Sequence, residues 1–147
     1  MKPANIGFDA EGCAKIFDLG FARRINPDRK LKDGTYKLSG NVGSLLFMAP
    51  EVHLHQTYNF SADIYSLSMM IWLIISLEKP LHGMKTRKFI QIVIKEGHRP
   101  EIDSAWPFAL KNLIRRGWSP RIQQRPNGNI VCRILGKVVA DLSTRKR

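Results

Sequence analysis

Cysteine is scarce in this sequence of 147 residues: Cys13 and Cys132 are the only two, far apart and in no C-x-x-C spacing. That argues against a disulfide-stapled scaffold and against a zinc ribbon. Long apolar runs are missing too. The longest uncharged stretch, Ile64 to Leu77, has 14 residues between Asp63 and Glu78, and a membrane span needs about 20. The opening residues, Met1-Lys2-Pro3-Ala4-Asn5, carry no apolar core of a signal peptide. A cytoplasmic, reducing setting is therefore expected. No internal repeat is visible. Acidic residues are half as many as basic ones, 12 Asp+Glu against 24 Lys+Arg, for a formal net charge of +12.

What is present begins with a hydrophobic share of 44%, which rules out disordered, collagenous and low-complexity classes. The length suits one domain, most of which fall at about 100–200 residues. The charge is uneven. Residues 1–74 hold 8 Lys/Arg and 7 Asp/Glu, whereas residues 75–147 hold 16 and 5. A basic chain invites a nucleic-acid or acidic-lipid reading. Yet the cations are spread along helix-like segments (Lys85, Arg87, Lys88; Arg115, Arg116; Arg121, Arg125) and end in a loose tail. There is no aromatic-plus-basic run, no C2H2 spacing and no basic-region heptad. Solvated helix faces explain the charge better, and no nucleic-acid partner is expected.

Along the sequence, Ile6 and Phe8 alternate, Asp9-Ala10-Glu11-Gly12 supplies a turn, and Ala14-Lys15-Ile16-Phe17 makes a return strand, so residues 5–17 form a hairpin. From Asp18 to Pro50 Gly, Asn, Asp, Ser and Lys dominate. An irregular stretch that long in a compact domain is usually functional or disordered. Four helices are predicted to follow: one capped by Ser61 and running to about Leu77, one from Thr86 through Lys95 stopped by Gly97, one over about Pro107–Arg116, and one from near Pro126 towards Asp141. The Ile64–Leu77 run is apolar on nearly every side, as in a helix buried in a core.

Phosphoryl transfer needs a metal held against nucleotide phosphates by hard oxygen ligands. Asn5 and Asp18 lie at the start and just beyond the end of the hairpin, so their oxygens can converge on one side of it. Each alone reads more simply as a turn residue or loop cap. In company they say more. Lys2-Pro3-Ala4-Asn5, Asp18-Leu19-Gly20 and Met48-Ala49-Pro50-Glu51 occur in that order, and the protein thereby resembles a eukaryotic protein kinase. The three match the end of the catalytic loop, the Asp-Phe-Gly metal motif with Leu19 for Phe, and the Ala-Pro-Glu that closes the activation segment. Gly43-Ser44-Leu45-Leu46-Phe47 resembles the substrate-facing loop, and Ser61-Ala62-Asp63-Ile64-Tyr65-Ser66-Leu67 the start of the buried central helix. Gly97-His98-Arg99-Pro100, Trp118-Ser119-Pro120 and Arg125-Pro126 are similar to later landmarks of tyrosine-kinase-like kinases. The likeness covers residues 1–135.

The resemblance implies an α+β, mainly α fold, the C-terminal lobe of a protein kinase, over residues 1–140, with a basic tail over 141–147. It implies ATP and Mg²⁺ as cofactors, with Asn5 and Asp18 as metal and nucleotide ligands, and protein Ser/Thr as substrate. Lys2 is similar to the catalytic-loop Lys of Ser/Thr kinases that contacts the transferring phosphoryl group. Glu51 and Arg125 resemble a buried ion pair that holds architecture, and Asp63 the residue that anchors the catalytic-loop backbone. Thr35, Tyr36 and Ser39 are candidate phosphorylation sites among loop cations that would pair with a phosphate; for any one of them a solvated hydroxyl that does nothing is the simpler reading.

Absent are the family's His-Arg-Asp, whose Asp is the catalytic base, and any G-x-G-x-x-G. Met1 takes the place just after that Asp. The polypeptide alone is expected to be inactive, a lobe whose partner would be a missing N-terminal lobe. Without the helix that precedes the catalytic loop, Met69, Met70, Trp72, Ile74 and Ile75 are expected to face water, leaving the protein marginal or oligomeric. The alternatives are a pseudokinase-like scaffold lobe that docks partners, and a binder of nucleic acid or acidic lipid for which no motif speaks.

Overall fold

Alternation at Ile6 and Phe8 resolves into an antiparallel pair, β1 (Ile6–Phe8) and β2 (Ala14–Ile16), with Ile6 opposite Ile16 and Phe8 opposite Ala14. Asp9 closes the turn between them. Its carboxylate accepts the Cys13 N–H at 2.7 Å and pairs with Lys15 at 3.1 Å. These two contacts, Cys13 first, hold the Asp9 carboxyl below its ordinary value. The computed structural model describes residues 1–144.

The irregular stretch after β2 carries only two 3-10 turns, Pro27–Arg29 and Leu45–Phe47, but its second half is tied down. Tyr36 and Tyr58 exchange backbone hydrogen bonds at 2.9 and 3.2 Å, and the Asn41 N–H donates to the Val52 carbonyl at 2.8 Å. The Tyr58 hydroxyl donates to the Ser39 carbonyl, and the Asn59 amide to the Gly34 carbonyl. Gly40 passes so close to residues 52–55 that a Cβ there would sit 2.8 Å from the Val52 carbonyl oxygen. A short helix, α1 (Pro50–His53), follows. Pro50 opens it, since the missing N–H would have found no partner at a first-turn position.

The core is built around α2 (Ser61–Ser76). Ser61 does not cap this helix: its own N–H donates to the Asn59 side chain at 2.9 Å, and its hydroxyl is buried without a partner. The helix stops at Leu77, which adopts a left-handed φ of 58°. Tyr65 and Met69 are fully enclosed. Ser66 Oγ donates to the Phe47 carbonyl at 2.7 Å, fastening the second 3-10 turn to the helix. The expectation that one face of this helix meets water is corrected for most of it. Met69, Met70 and Trp72 are buried, and Ile75 is half-buried. Later segments of the fold cover them: Leu110, Ile114 and Val138 join their cluster, and Trp72 Nε1 donates to the Glu101 carbonyl at 2.7 Å. Ile74, at 65% exposure, does face solvent as expected, and Leu77 at 90% joins it.

The remaining three helices fall close to their sequence bounds. The second predicted helix is α3 (Thr86–Phe89), continued by a π-helical turn over Ile90–Lys95 and ended by Gly97 at φ +77°. In α4 (Phe108–Gly117) Leu110, Leu113, Ile114 and Gly117 are buried, while Arg115 and Arg116 stay exposed in the last turn, where cations suit the helix dipole. Asn127 caps α5 (Gly128–Thr144), its side chain accepting the Ile130 N–H at 3.0 Å. Of the basic tail expected over 141–147, the first four residues are helical; Arg145, Lys146 and Arg147 lie outside the described residues. The hairpin-plus-helix architecture is thus the α+β, mainly α lobe expected, with α1 in addition.

α2 and α4 come close together at Gly117, where a Cβ would overlap the Ser68 side chain. Gly117→Ala should therefore destabilise the protein by about 1–3 kcal/mol through overpacking. Urea denaturation measures this, and adding Ser68→Ala should recover part of the loss.

Candidate functional site

Three of the residues singled out above meet at one end of the hairpin. Lys2 precedes the 3-10 turn Pro3–Asn5 and accepts the Asn5 N–H at its carbonyl. The Asn5 carbonyl accepts the Phe17 N–H at 3.0 Å, which extends the strand ladder by one pair beyond Ile6 and Ile16. Asp18 is the next residue. It leaves the strand in a left-handed conformation, φ 62°, and its Oδ1 accepts the Gly20 N–H at 3.3 Å. A non-glycine residue in that region is uncommon, and Asp is among those that tolerate it. The ladder thus fixes Asn5 and Asp18 as near neighbours, Asn5 half-buried and Asp18 exposed, with no cation paired to Asp18 among the described residues.

An amide oxygen and a carboxylate are hard donors that fit Mg²⁺, which usually takes one or two protein oxygens and fills its shell from phosphates and water. Among the described residues no three His, Cys, Asp or Glu side chains gather to hold a metal by themselves. A cleft of about 370 Å³ lies elsewhere, lined by Gly34, Tyr36, Phe60, Ile64, Ile122 and Pro126 among others, and includes none of the hairpin-end residues.

Glu51 and Arg125, 74 positions apart, meet in a fully buried bidentate pair, Nη1–Oε1 at 2.6 Å and Nη2–Oε2 at 2.9 Å. Arg125 also donates from Nε to the Ser119 carbonyl and from Nη1 to the Ser61 carbonyl. One guanidinium thereby joins α1, the start of α2 and the α4–α5 connection. Its charge lies over the Tyr65 ring at 5.2 Å, and Arg99 lies over the same ring at 5.1 Å. Arg99 donates to the carbonyls of Trp118, Val93 and His98. Burial pushes its guanidinium below the ordinary value, the neighbouring Tyr65 opposing this. Burial likewise pushes the Tyr65 hydroxyl up, against the pull of Arg99 and Arg125. In the sequence Arg99 stands only as part of a landmark; no local pattern signals that it would share a ring with Arg125. Asp63, expected as a backbone anchor, is exposed in the first turn of α2, and its side chain makes no hydrogen bond among the described residues.

The hydroxyl candidates separate by burial. Thr35 is 2% exposed and Tyr36 8%, while Ser39 is exposed. The Thr35 hydroxyl donates to Asp33 Oδ1 at 2.6 Å and its N–H to the same oxygen at 3.0 Å. Of the three residues, Ser39 alone is exposed. The two Thr35 donors, the hydroxyl first, hold the Asp33 carboxyl below its ordinary value.

Residues 2–135 match the family described as protein tyrosine and serine/threonine kinase. Among curated relatives, the protein is 31% identical over 129 residues to the dual specificity protein kinase shkB of Dictyostelium discoideum, covering 86% of this sequence and 19% of that protein. It is 30% identical over 142 residues to shkA of the same organism, covering 96% and 26%. It thus spans about a fifth to a quarter of the length of these relatives. The chain belongs to the eukaryotic protein kinase family, in its tyrosine-kinase-like branch.

Glu51→Gln leaves a guanidinium buried without its counter-charge and should cost about 3–5 kcal/mol; the double change Glu51→Leu, Arg125→Met should cost less, both read by chemical denaturation. Thr35→Val removes the shorter of the two Asp33 contacts. A carboxyl depressed in the fold adds stability above its unfolded value of 3.8 and loses it as pH falls through the lower folded value. Carbon-detected NMR titration should therefore show the Asp33 midpoint rising back towards 3.8 in Thr35→Val.

Proposed function

We propose that this protein is the substrate-side lobe of a Ser/Thr protein kinase domain, and that the hairpin end is its nucleotide-metal corner. The supporting observation is the Asn5–Phe17 ladder bond, which makes Asn5 and Asp18 near neighbours. When bound there, Mg²⁺ supplies charge neutralisation at the phosphates of ATP. Asn5 and Asp18 would hold that cation, and Lys2 would bring a positive charge to the transferring group. Gly43 and Ser44, both exposed, would face the peptide that carries the acceptor hydroxyl, while the Glu51–Arg125 pair keeps the adjoining turn in place. Lys2 supports a Ser/Thr acceptor; the dual-specificity names of the relatives leave Tyr acceptance as the wider reading. A cytoplasmic setting belongs to the same proposal, and among the described residues no helix is long and apolar enough to cross a membrane.

These 147 residues contain neither His-Arg-Asp, the source of the family's proton acceptor, nor a Gly-rich loop to cover the phosphates. We therefore propose that they do not turn over ATP by themselves. One observation favours a docking role beside the catalytic one. Phe8, Ile16, Phe17, Leu19 and Phe21 are 50–76% exposed around the hairpin, a run of apolar surface of the kind partners cover. An N-terminal kinase lobe is the partner the family provides for it.

A phosphotransfer assay with radiolabelled ATP and a basic protein substrate tests this reading. The 147-residue protein should show no turnover above its Asp18→Asn variant, and clear turnover above that control would overturn the proposal.

A further inference from the structure

Residues 79–95 hold five Lys/Arg, namely Lys79, Lys85, Arg87, Lys88 and Lys95, and no Asp or Glu. All five are exposed, and none takes part in an ion pair among the described residues. Three of them, Lys85, Arg87 and Lys88, lie at or within the single turn of α3, which contains no acid. Five exposed cations with no acid among them form a positive patch that an anionic partner complements.

The buried face of α3 and the turn that continues it says where that partner would lie. Phe89, Val93 and Ile94 form a cluster against which Leu45 and Leu46 pack. Leu45 and Leu46 directly follow Gly43 and Ser44, which are exposed. α3 and the turn that continues it therefore pack against the 43–47 loop, and Lys85, Arg87 and Lys88 are exposed on the same segment.

We propose that the exposed side of α3 and the 43–47 loop form a docking surface for an acidic peptide, so that substrates carry Asp or Glu flanking the acceptor hydroxyl. This rests on the reading of residues 43–47 as the substrate-facing loop. Charge complementarity selects the occupant. Three unpaired cations within four residues match a short run of carboxylates, which a neutral or basic peptide cannot supply.

Peptide binding tests this without phosphoryl transfer, so its failure is separable from failure of the kinase reading. Fluorescence anisotropy is measured on the 147-residue protein with a labelled Ser peptide flanked by Asp and Glu, and with the same peptide carrying Ala at those positions. The acidic peptide should bind about tenfold more tightly. Lys85→Glu, Arg87→Glu and Lys88→Glu together should abolish that preference and transfer it to a Lys-flanked peptide. The neutral set Lys85→Gln, Arg87→Gln and Lys88→Gln should give an intermediate loss. Arg133→Glu with Lys137→Glu, equally exposed on α5, should leave the preference intact. Equal affinity for the acidic and Ala peptides overturns the proposal. So does an equal loss in the α5 variant, which would reduce the effect to overall charge. Binding of duplex DNA or anionic vesicles that depends on the α3 cations, with no peptide preference, also overturns it.

Discussion

One guanidinium closes most of the tertiary structure. Arg125 places four hydrogen bonds on three separate parts of the fold, two of them on the Glu51 carboxylate. A charge buried this deeply is costly unless its donors are met, and the carboxylate and two carbonyls meet them. The arrangement confers position more than net stability. It holds the short helix α1 against the start of α2, and so decides where the residues before α1 must run.

That position passes outward through backbone contacts. With α1 fixed, Val52 accepts from Asn41, Tyr58 pairs with Tyr36, and the Asn59 side chain accepts the Ser61 N–H and reaches the Gly34 carbonyl. The irregular stretch between β2 and α1 needs a framework of this kind, because it has almost no regular secondary structure to pair its own backbone groups. The hairpin differs. It is held by its own ladder and the Asp9 turn and leaves much of its apolar surface open. One end of the molecule is thus internally tied, and the other leaves apolar side chains exposed.

Much of this was legible in the residue order. The hairpin, four helix spans and the Glu51–Arg125 pair follow from periodicity, turn residues and family motifs, which act locally or are matched whole. What escaped depends on distant surroundings. Ser61 has the composition of a cap, but Asn59 two residues earlier reaches the N–H first. Met69 and Trp72 read as facing a missing helix, whereas α4, α5 and the Glu101 carbonyl cover them from the other side. Thr35 reads as an accessible hydroxyl among cations until its fold neighbours enclose it. Asn5 and Asp18 were legible as a pair because one strand ladder, predictable from alternation, joins them.

The shared ring of Tyr65 has a consequence for how the molecule opens. Arg125 reaches it from the α1 side, and Arg99 from the side of the π-helical turn after α3, which it grips at the Val93 carbonyl. Arg125 keeps the Glu51 carboxylate whatever Arg99 does, so withdrawal of either arginine uncovers one face of the ring while the other stays on it. The ring is thereby a surface that both sides of the lobe share, and opening on either side wets it.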